Sequence, residues 1–249
     1  MIIVPAIDIR GGKCVRLVQG DYARETVFGD EPAGMARRWM GEGARALHLV
    51  DLDGAKSGRR DNETAVAGVL RAVAENVSAG GACPTTQLGG GIRDLGAVEF
   101  WLRAGIDRVI LGTAAVREPS LVEAAARGFP GRVWVGIDAR DGKVAVDGWT
   151  HTTERLAADL AVEMQGRGAG GIIYTDIGRD GTGKGVNVEA TAALANLLDI
   201  PVFASGGVSS REDVVRLREV GGKRVAGVVV GRALYDGAVT LADLLSAAT

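Results

Sequence analysis

Two short apolar runs in the chain end on an aspartate: Ile2-Ile3-Val4-Pro5-Ala6-Ile7-Asp8 and Val133-Trp134-Val135-Gly136-Ile137-Asp138. Runs of this kind, rich in β-branched residues, suit strands covered on both faces, and such strands belong to parallel sheets. The carboxyl ends of those strands are where α/β folds place their chemistry. One such Asp is as easily a cap on the following turn; a matched pair, one in each half of the chain, favours function. Paired carboxylates divide acid and base roles when their environments separate their pKa values. Asp51, Thr175, Asp176 and Asp180, at or just beyond the ends of two further runs, are expected to share the same opening. Three or more carboxylates also suit Mg²⁺. The neighbouring basic loops already answer phosphate charge, however, and His48 and His151 are not in ligand spacing, so neither a metal nor a cofactor is expected. His48 reads as a strand residue. Lys13 and Lys143 read as solvated rather than as Schiff-base lysines, which need a desolvated position.

Glycine is the compositional outlier, with 38 residues clustered after apolar runs. Gly90-Gly91 with Arg93, and Gly112-Thr113, recur in the second half as Gly206-Gly207 with Ser209, and Gly231-Arg232. Glycines let backbone N–H groups approach an anion, and a helix amino terminus adds a favourable dipole. Such turns also arise for steric reasons alone. Two symmetric pairs predict two phosphate sites and therefore a small ligand carrying a phosphate at each end.

The elements that must position these groups alternate strand and helix eight times in 249 residues, the usual size of a (β/α)8 TIM barrel. The recurrence of the Asp8, Gly90 and Gly112 motifs at Asp138, Gly206 and Gly231 reads as a duplicated half-barrel, about 1–128 and 129–249, in a single domain. Strand two is expected over Ala46–Asp51 with a loop over Leu52–Arg60, a short hairpin over Cys14–Val18, a second over Lys143–Val146, and a helix over Thr153–Gln165. A net charge of −2 with scattered Lys and Arg gives no field for nucleic acid. Two distant cysteines suggest neither a disulfide nor a zinc site. No apolar run reaches membrane-spanning length and strand one begins at Ile2, so a cytoplasmic protein starting at Met1, without membrane contact, is expected.

Val4-Pro5-Ala6-Ile7-Asp8, Val15-Arg16-Leu17-Val18-Gln19-Gly20, Leu49-Val50-Asp51-Leu52-Asp53-Gly54-Ala55, Gly89-Gly90-Gly91-Ile92-Arg93, Tyr174-Thr175-Asp176-Ile177 with Arg179-Asp180-Gly181-Thr182, and Ala204-Ser205-Gly206-Gly207-Val208 fall in order along essentially the whole chain. Together they resemble the phosphoribosylformimino-aminoimidazole-carboxamide ribotide isomerases of histidine biosynthesis. The resemblance implies an Amadori rearrangement of a bisphosphorylated aminoaldose to an aminoketose. Asp8 would be the base at the sugar C2 and Asp138 the acid at the ring oxygen, with Asp180 a competing acid. Thr175 would orient the sugar, Trp149 would stack on the aminoimidazole, and Arg16, Gly20 and Asp51 would line the substrate. The sequence departs from the family pattern at Gly183 and Val186, where Leu and Pro are more usual, and in the insert at Ser78–Pro84, expected at the far end of the barrel.

The resemblance leaves other readings to be weighed: the related cyclase, which would need a glutaminase partner, a non-catalytic phosphate-ligand sensor, and a dual-specificity isomerase acting also on phosphoribosylanthranilate. Dual-specificity relatives carry an Arg in the loop preceding Gly-Trp, where this chain has Val144-Ala145-Val146-Asp147-Gly148-Trp149. A monomer without an obligate protein partner, selective for the histidine-pathway substrate, is the expectation.

Overall fold

The computed structural model describes all residues, Met1–Thr249. Eight parallel strands form the barrel: β1 (Ile2–Arg10), β2 (Ala46–Asp51), β3 (Thr85–Gly89), β4 (Arg108–Leu111), β5 (Val133–Arg140), β6 (Ile172–Asp176), β7 (Val202–Ser205) and β8 (Val225–Val230). They pair in sequence order, and β8 returns to β1 through Ile2↔Gly227 to Pro5↔Val230, which closes the sheet. Helices cover the outside, among them Pro32–Gly41, Glu63–Ser78, Leu95–Ala104, Ala157–Gly166 and Arg211–Gly221.

Closure leaves two apolar compartments, separated by the alternation of side chains along each strand. Val4, Ala6, Ala46, Ile110, Trp134, Ile173, Phe203 and Val229 pack inside the barrel, with Trp134 edge-on to Phe203 at 4.9 Å between ring centroids. Their strand neighbours, such as Ile3, Ile7, Leu47, Leu49, Val133, Val135, Ile137 and Ile172, face outward into the larger core under the helices. This parity fixes the site. Counting in twos from Val4 and Ala6 reaches Asp8, from Trp134 reaches Asp138, and from Ile173 reaches Thr175, so all three point at the barrel axis.

The structure enlarges both expected hairpins. Lys13–Val18 folds back antiparallel on β1 and carries a further strand, Asp21–Gly29, while Lys143–Val146 folds back on β5 and carries His151–Leu156. The second ribbon takes the first residues of the expected Thr153–Gln165 helix, which begins only at Ala157. The stretch expected as a loop after β2 contains a helix, Leu52–Ser57, because the Asp51 side chain accepts from the Gly54 N–H and caps it. The Ser78–Pro84 insert leads into the amino end of β3, away from the site.

Each half repeats a local device. Asn62 Nδ2 donates to Asp51 at 2.7 Å and Asn187 Nδ2 donates to Asp176 at 2.6 Å. The glycine pair of the next strand then packs on that aspartate's backbone: a Cβ at Gly90 would lie 2.2 Å from the Asp51 carbonyl oxygen, and one at Gly206 would lie 2.7 Å from that of Asp176. Gly90 also sits at φ +99°, a region L side chains avoid. Gly90→Ala must therefore displace backbone, at about 2–4 kcal/mol, or roughly 5–15 °C in Tm for a chain of this size. Thermal unfolding followed by circular dichroism tests this; a shift below about 2 °C, within the usual spread of neutral surface changes, would contradict the close approach.

Candidate active site at the barrel mouth

Asp8 is brought to the mouth by β1 and met there by Arg16 of the first ribbon, which folds back antiparallel on β1. Arg16 Nη1 lies 2.6 Å from Asp8 Oδ2, and Nη2 donates to the Ala6 carbonyl at 2.7 Å. Burial works against the Arg16 cation, but Asp8, Tyr235 and Asp180 outweigh it, and its pKa ends above the ordinary arginine value. The ion pair fixes the Asp8 side chain at the mouth.

Asp138, at the corresponding place on β5, has no cation beside it. Its Oδ2 accepts from Trp149 Nε1 at 2.8 Å, and Thr175 stands level with it across the β5–β6 ladder. Burial pushes its carboxyl above the usual range, and the bonds from Trp149 and Thr175 oppose that without cancelling it. Asp180, in the loop after β6, is likewise raised, to about 6: burial dominates, Asp8 and Asp138 add to it, and Arg16 opposes it. Both residues are partly exposed. One ion-paired carboxylate facing two carboxyls of raised pKa is an acid–base arrangement.

Trp149 reaches Asp138 from a strained position, φ +72°, and its ring lies against the first ribbon, where a Cβ on Gly20 would come within 2.6 Å of it. Gly20 thus makes room for the indole. Asp51 is corrected by the structure: it is 1% exposed, and its oxygens accept from Gly54 and Asn62, so it holds the β2 loop and does not line the mouth. Asp176 does the same after β6, with Gly178 and Asn187 as donors. Both stand at the outward parity of their strands, one residue past the inward Val50 and Thr175. Period-two counting from Ala46 and Ile173 was the signal for this, and the equal Asp-to-Asn spacing in the two halves was the signal for Asn62 and Asn187.

The glycine loops match in conformation as well as in sequence. Gly90 and Gly91 have φ +99° and +75°, Gly206 and Gly207 +86° and +88°. Gly112 (φ −97°, ψ −110°) and Gly231 (φ −107°, ψ −107°) share a backbone shape and open the short helices Thr113–Arg117 and Arg232–Tyr235. Each of the two turn types therefore occurs twice, once in each half of the chain. Around them, Arg93 donates to the Ala55 carbonyl at 3.0 Å, Thr113 Oγ1 accepts from the Asp147 N–H at 3.0 Å, Ser209 Oγ donates to Asp213 at 3.1 Å, and Arg232 pairs with Asp236 at 2.8 Å. Asp147 itself pairs with Arg117 at 2.7 Å. His48, inward on β2, contacts Gln87 at 3.0 Å, and burial foremost, with Arg16, lowers its pKa to about 4. Its imidazole is neutral. Val186 is buried in the core, so the strand-six loop is anchored at its far end.

A family model described as histidine biosynthesis protein matches residues 2–240. Among curated relatives, a protein of Nitrobacter hamburgensis is 54% identical over 99% of this chain and 96% of its own length. One of Syntrophotalea carbinolica is 52% identical over 99% and 98%, and one of Geobacter sulfurreducens 51% identical over 99% and 97%. Each of the three is named 1-(5-phosphoribosyl)-5-((5-phosphoribosylamino)methylideneamino)imidazole-4-carboxamide isomerase.

Proposed function

The chain belongs to the histidine biosynthesis protein family, and we propose that it isomerises the bisphosphorylated aminoaldose named in its relatives to the corresponding aminoketose. The observation that carries this is the opposition of Asp8, paired with Arg16, to Asp138 beneath Trp149, between two matched pairs of glycine turns. Asp138 protonates the furanose ring oxygen, the C1–O bond breaks, and the nitrogen lone pair forms the iminium. Asp8 takes the C2 proton, giving the enaminol. Gain of a proton at C1 and loss of the 2-hydroxyl proton give the ketone, so no net atom or electron is exchanged. Thr175 orients the sugar and Trp149 stacks on the aminoimidazole. Backbone N–H groups at Gly90, Gly91 and Gly112, with Arg93 and Thr113, hold one phosphate; those at Gly206, Gly207 and Gly231, with Ser209 and Arg232, hold the other. The protein works as a cytoplasmic monomer without an obligate partner; no helix is long and apolar enough to cross a membrane.

A cyclase or a sensor is less well supported, since the curated relatives above carry the isomerase name. Phosphoribosylanthranilate offers one phosphate, and its ring carboxylate needs a cation. A cation next to the Gly148-Trp149 turn, Arg117, is already bound by Asp147. A turnover assay with both substrates is expected to give conversion of the bisphosphorylated aminoaldose and a kcat/KM at least ~100-fold lower for phosphoribosylanthranilate. Comparable values would defeat the selectivity, and no conversion of either would defeat the isomerase reading.

A further inference from the structure

The mechanism leaves unused a group that touches Arg16, the partner of the base, and lies on the helix that follows an anion loop. The Ala6 carbonyl accepts two hydrogen bonds, from Arg16 Nη2 at 2.7 Å and from the Tyr235 hydroxyl at 2.8 Å. The Tyr235 ring faces the Arg16 guanidinium, with 4.9 Å from Cζ to the ring centroid. That ring is itself held by Trp39, edge-on at 5.5 Å, and by Phe28 at 5.1 Å. Gly231, just before the same short helix, also abuts Arg16: a Cβ there would lie 2.6 Å from Nη2. The segment Gly231–Tyr235 therefore carries an anion-loop glycine and Arg232 at one end and grips Arg16 from both.

We propose that Tyr235 is a positioning residue for the isomerisation: it fixes the Arg16 guanidinium, and through it the Asp8 carboxylate, and ties that pair to the anion loop after β8. The proposal rests on the reading of Asp8 as the base. Arg16 is a long, rotamer-rich side chain whose freedom must be suppressed, and its Nε makes no hydrogen bond with the protein. Its orientation depends on Asp8, the Ala6 carbonyl and the aromatic face beneath it, an arrangement that favours a desolvated cation. Burial foremost pushes the Tyr235 hydroxyl up to about 12, so it remains a neutral donor to Ala6 throughout the working range. Without the ring, water enters beside Arg16, the guanidinium gains freedom, and Asp8 loses its fixed approach to C2. Misplacement of a reacting group costs rate more than it costs binding.

The test is a double-mutant cycle on the full chain, Tyr235→Leu against Arg16→Gln, read by steady-state kinetics with the bisphosphorylated aminoaldose. Tyr235→Leu is expected to lower kcat by ~10–30-fold with KM changed by less than ~3-fold. In the Arg16→Gln background the same substitution is expected to cost less than ~2-fold more, because the group it positions is gone. Tyr235→Phe, which keeps the ring, is expected to retain kcat within ~3-fold. A fault in folding would multiply with the Arg16 loss, so multiplicative losses overturn the proposal. So does wild-type kcat in Tyr235→Leu; Tyr235→Met replaces Leu in the cycle if the Leu variant does not fold. A wild-type chain that fails to turn over the substrate overturns the isomerase reading and this one with it, whereas an active wild type confines any failure to Tyr235.

Discussion

Asp8→Asn is expected to lower kcat by roughly 10³-fold or more while leaving substrate affinity within a few-fold of wild type. The amide matches the carboxylate in shape and still accepts from Arg16 Nη1, which lies 2.6 Å from Oδ2 in the native pair. It cannot take the C2 proton. General-base contributions of about 10²–10⁴ bound the loss, and the upper part of that range applies because no other carboxylate shares the Arg16 pairing. Turnover assays give kcat and titration calorimetry gives Kd. A variant within tenfold of wild type would remove Asp8 from the base role.

For Asp138→Asn the expected loss is roughly 10²-fold or more, and here the rival acid is separable by pH. An acid is active while protonated, so activity must fall as pH rises through its pKa. If Asp180 were the acid, kcat/KM would decline above pH about 6, where its carboxyl titrates, and Asp180→Asn would be the more damaging change. If Asp138 is the acid, the alkaline limb persists in Asp180→Asn and disappears with Asp138→Asn. Near-normal turnover in Asp138→Asn would move the role to Asp180. Linkage gives Asp180 a second signature. Its folded pKa, about 6, lies above the ordinary 3.8, so its contribution to stability is full below about 3.8 and is lost as pH rises through 6. Asp180→Asn is thus expected to be more stable than wild type at pH 8, by about 1–3 kcal/mol in urea unfolding, with the gain vanishing near pH 4.

The barrel was legible in the sequence because its strands are buried on both faces and read as apolar runs. Asp8 and Asp138 were legible because each ends such a run at the inward parity. Asp51 also ends an apolar run, but counting in twos from Ala46 puts it at the outward parity, where it caps the β2 loop instead of facing the mouth. The outer ribbon strands Asp21–Gly29 and His151–Leu156 were hidden because they are largely exposed, with no apolar alternation to announce them. The short helices after Gly112 and Gly231 span five and four residues, too few for any periodicity to register, and Tyr235 was lost with the second of them.

The matched glycine turns of the two halves set a problem of polarity for a ligand with a phosphate at each end. A pocket with twofold-related seats for two similar phosphates would accept its ligand either way round, and in one of the two orientations the wrong ribose would meet the base. The ribbons break the tie. Arg10 faces Lys13 in one and Arg140 faces Lys143 in the other, so counting on from Lys13 and Lys143 puts Val146 in the place of Arg16, and Trp149 in the place of Gln19. Gln19 and Trp149 even share the left-handed backbone, φ +52° and +72°. On the proposed reading, the scaffold is symmetric in what it grips and directional in what it does. The sense in which a ligand is read along the barrel mouth is written in a cation that has no twin on one side and an indole that has no twin on the other.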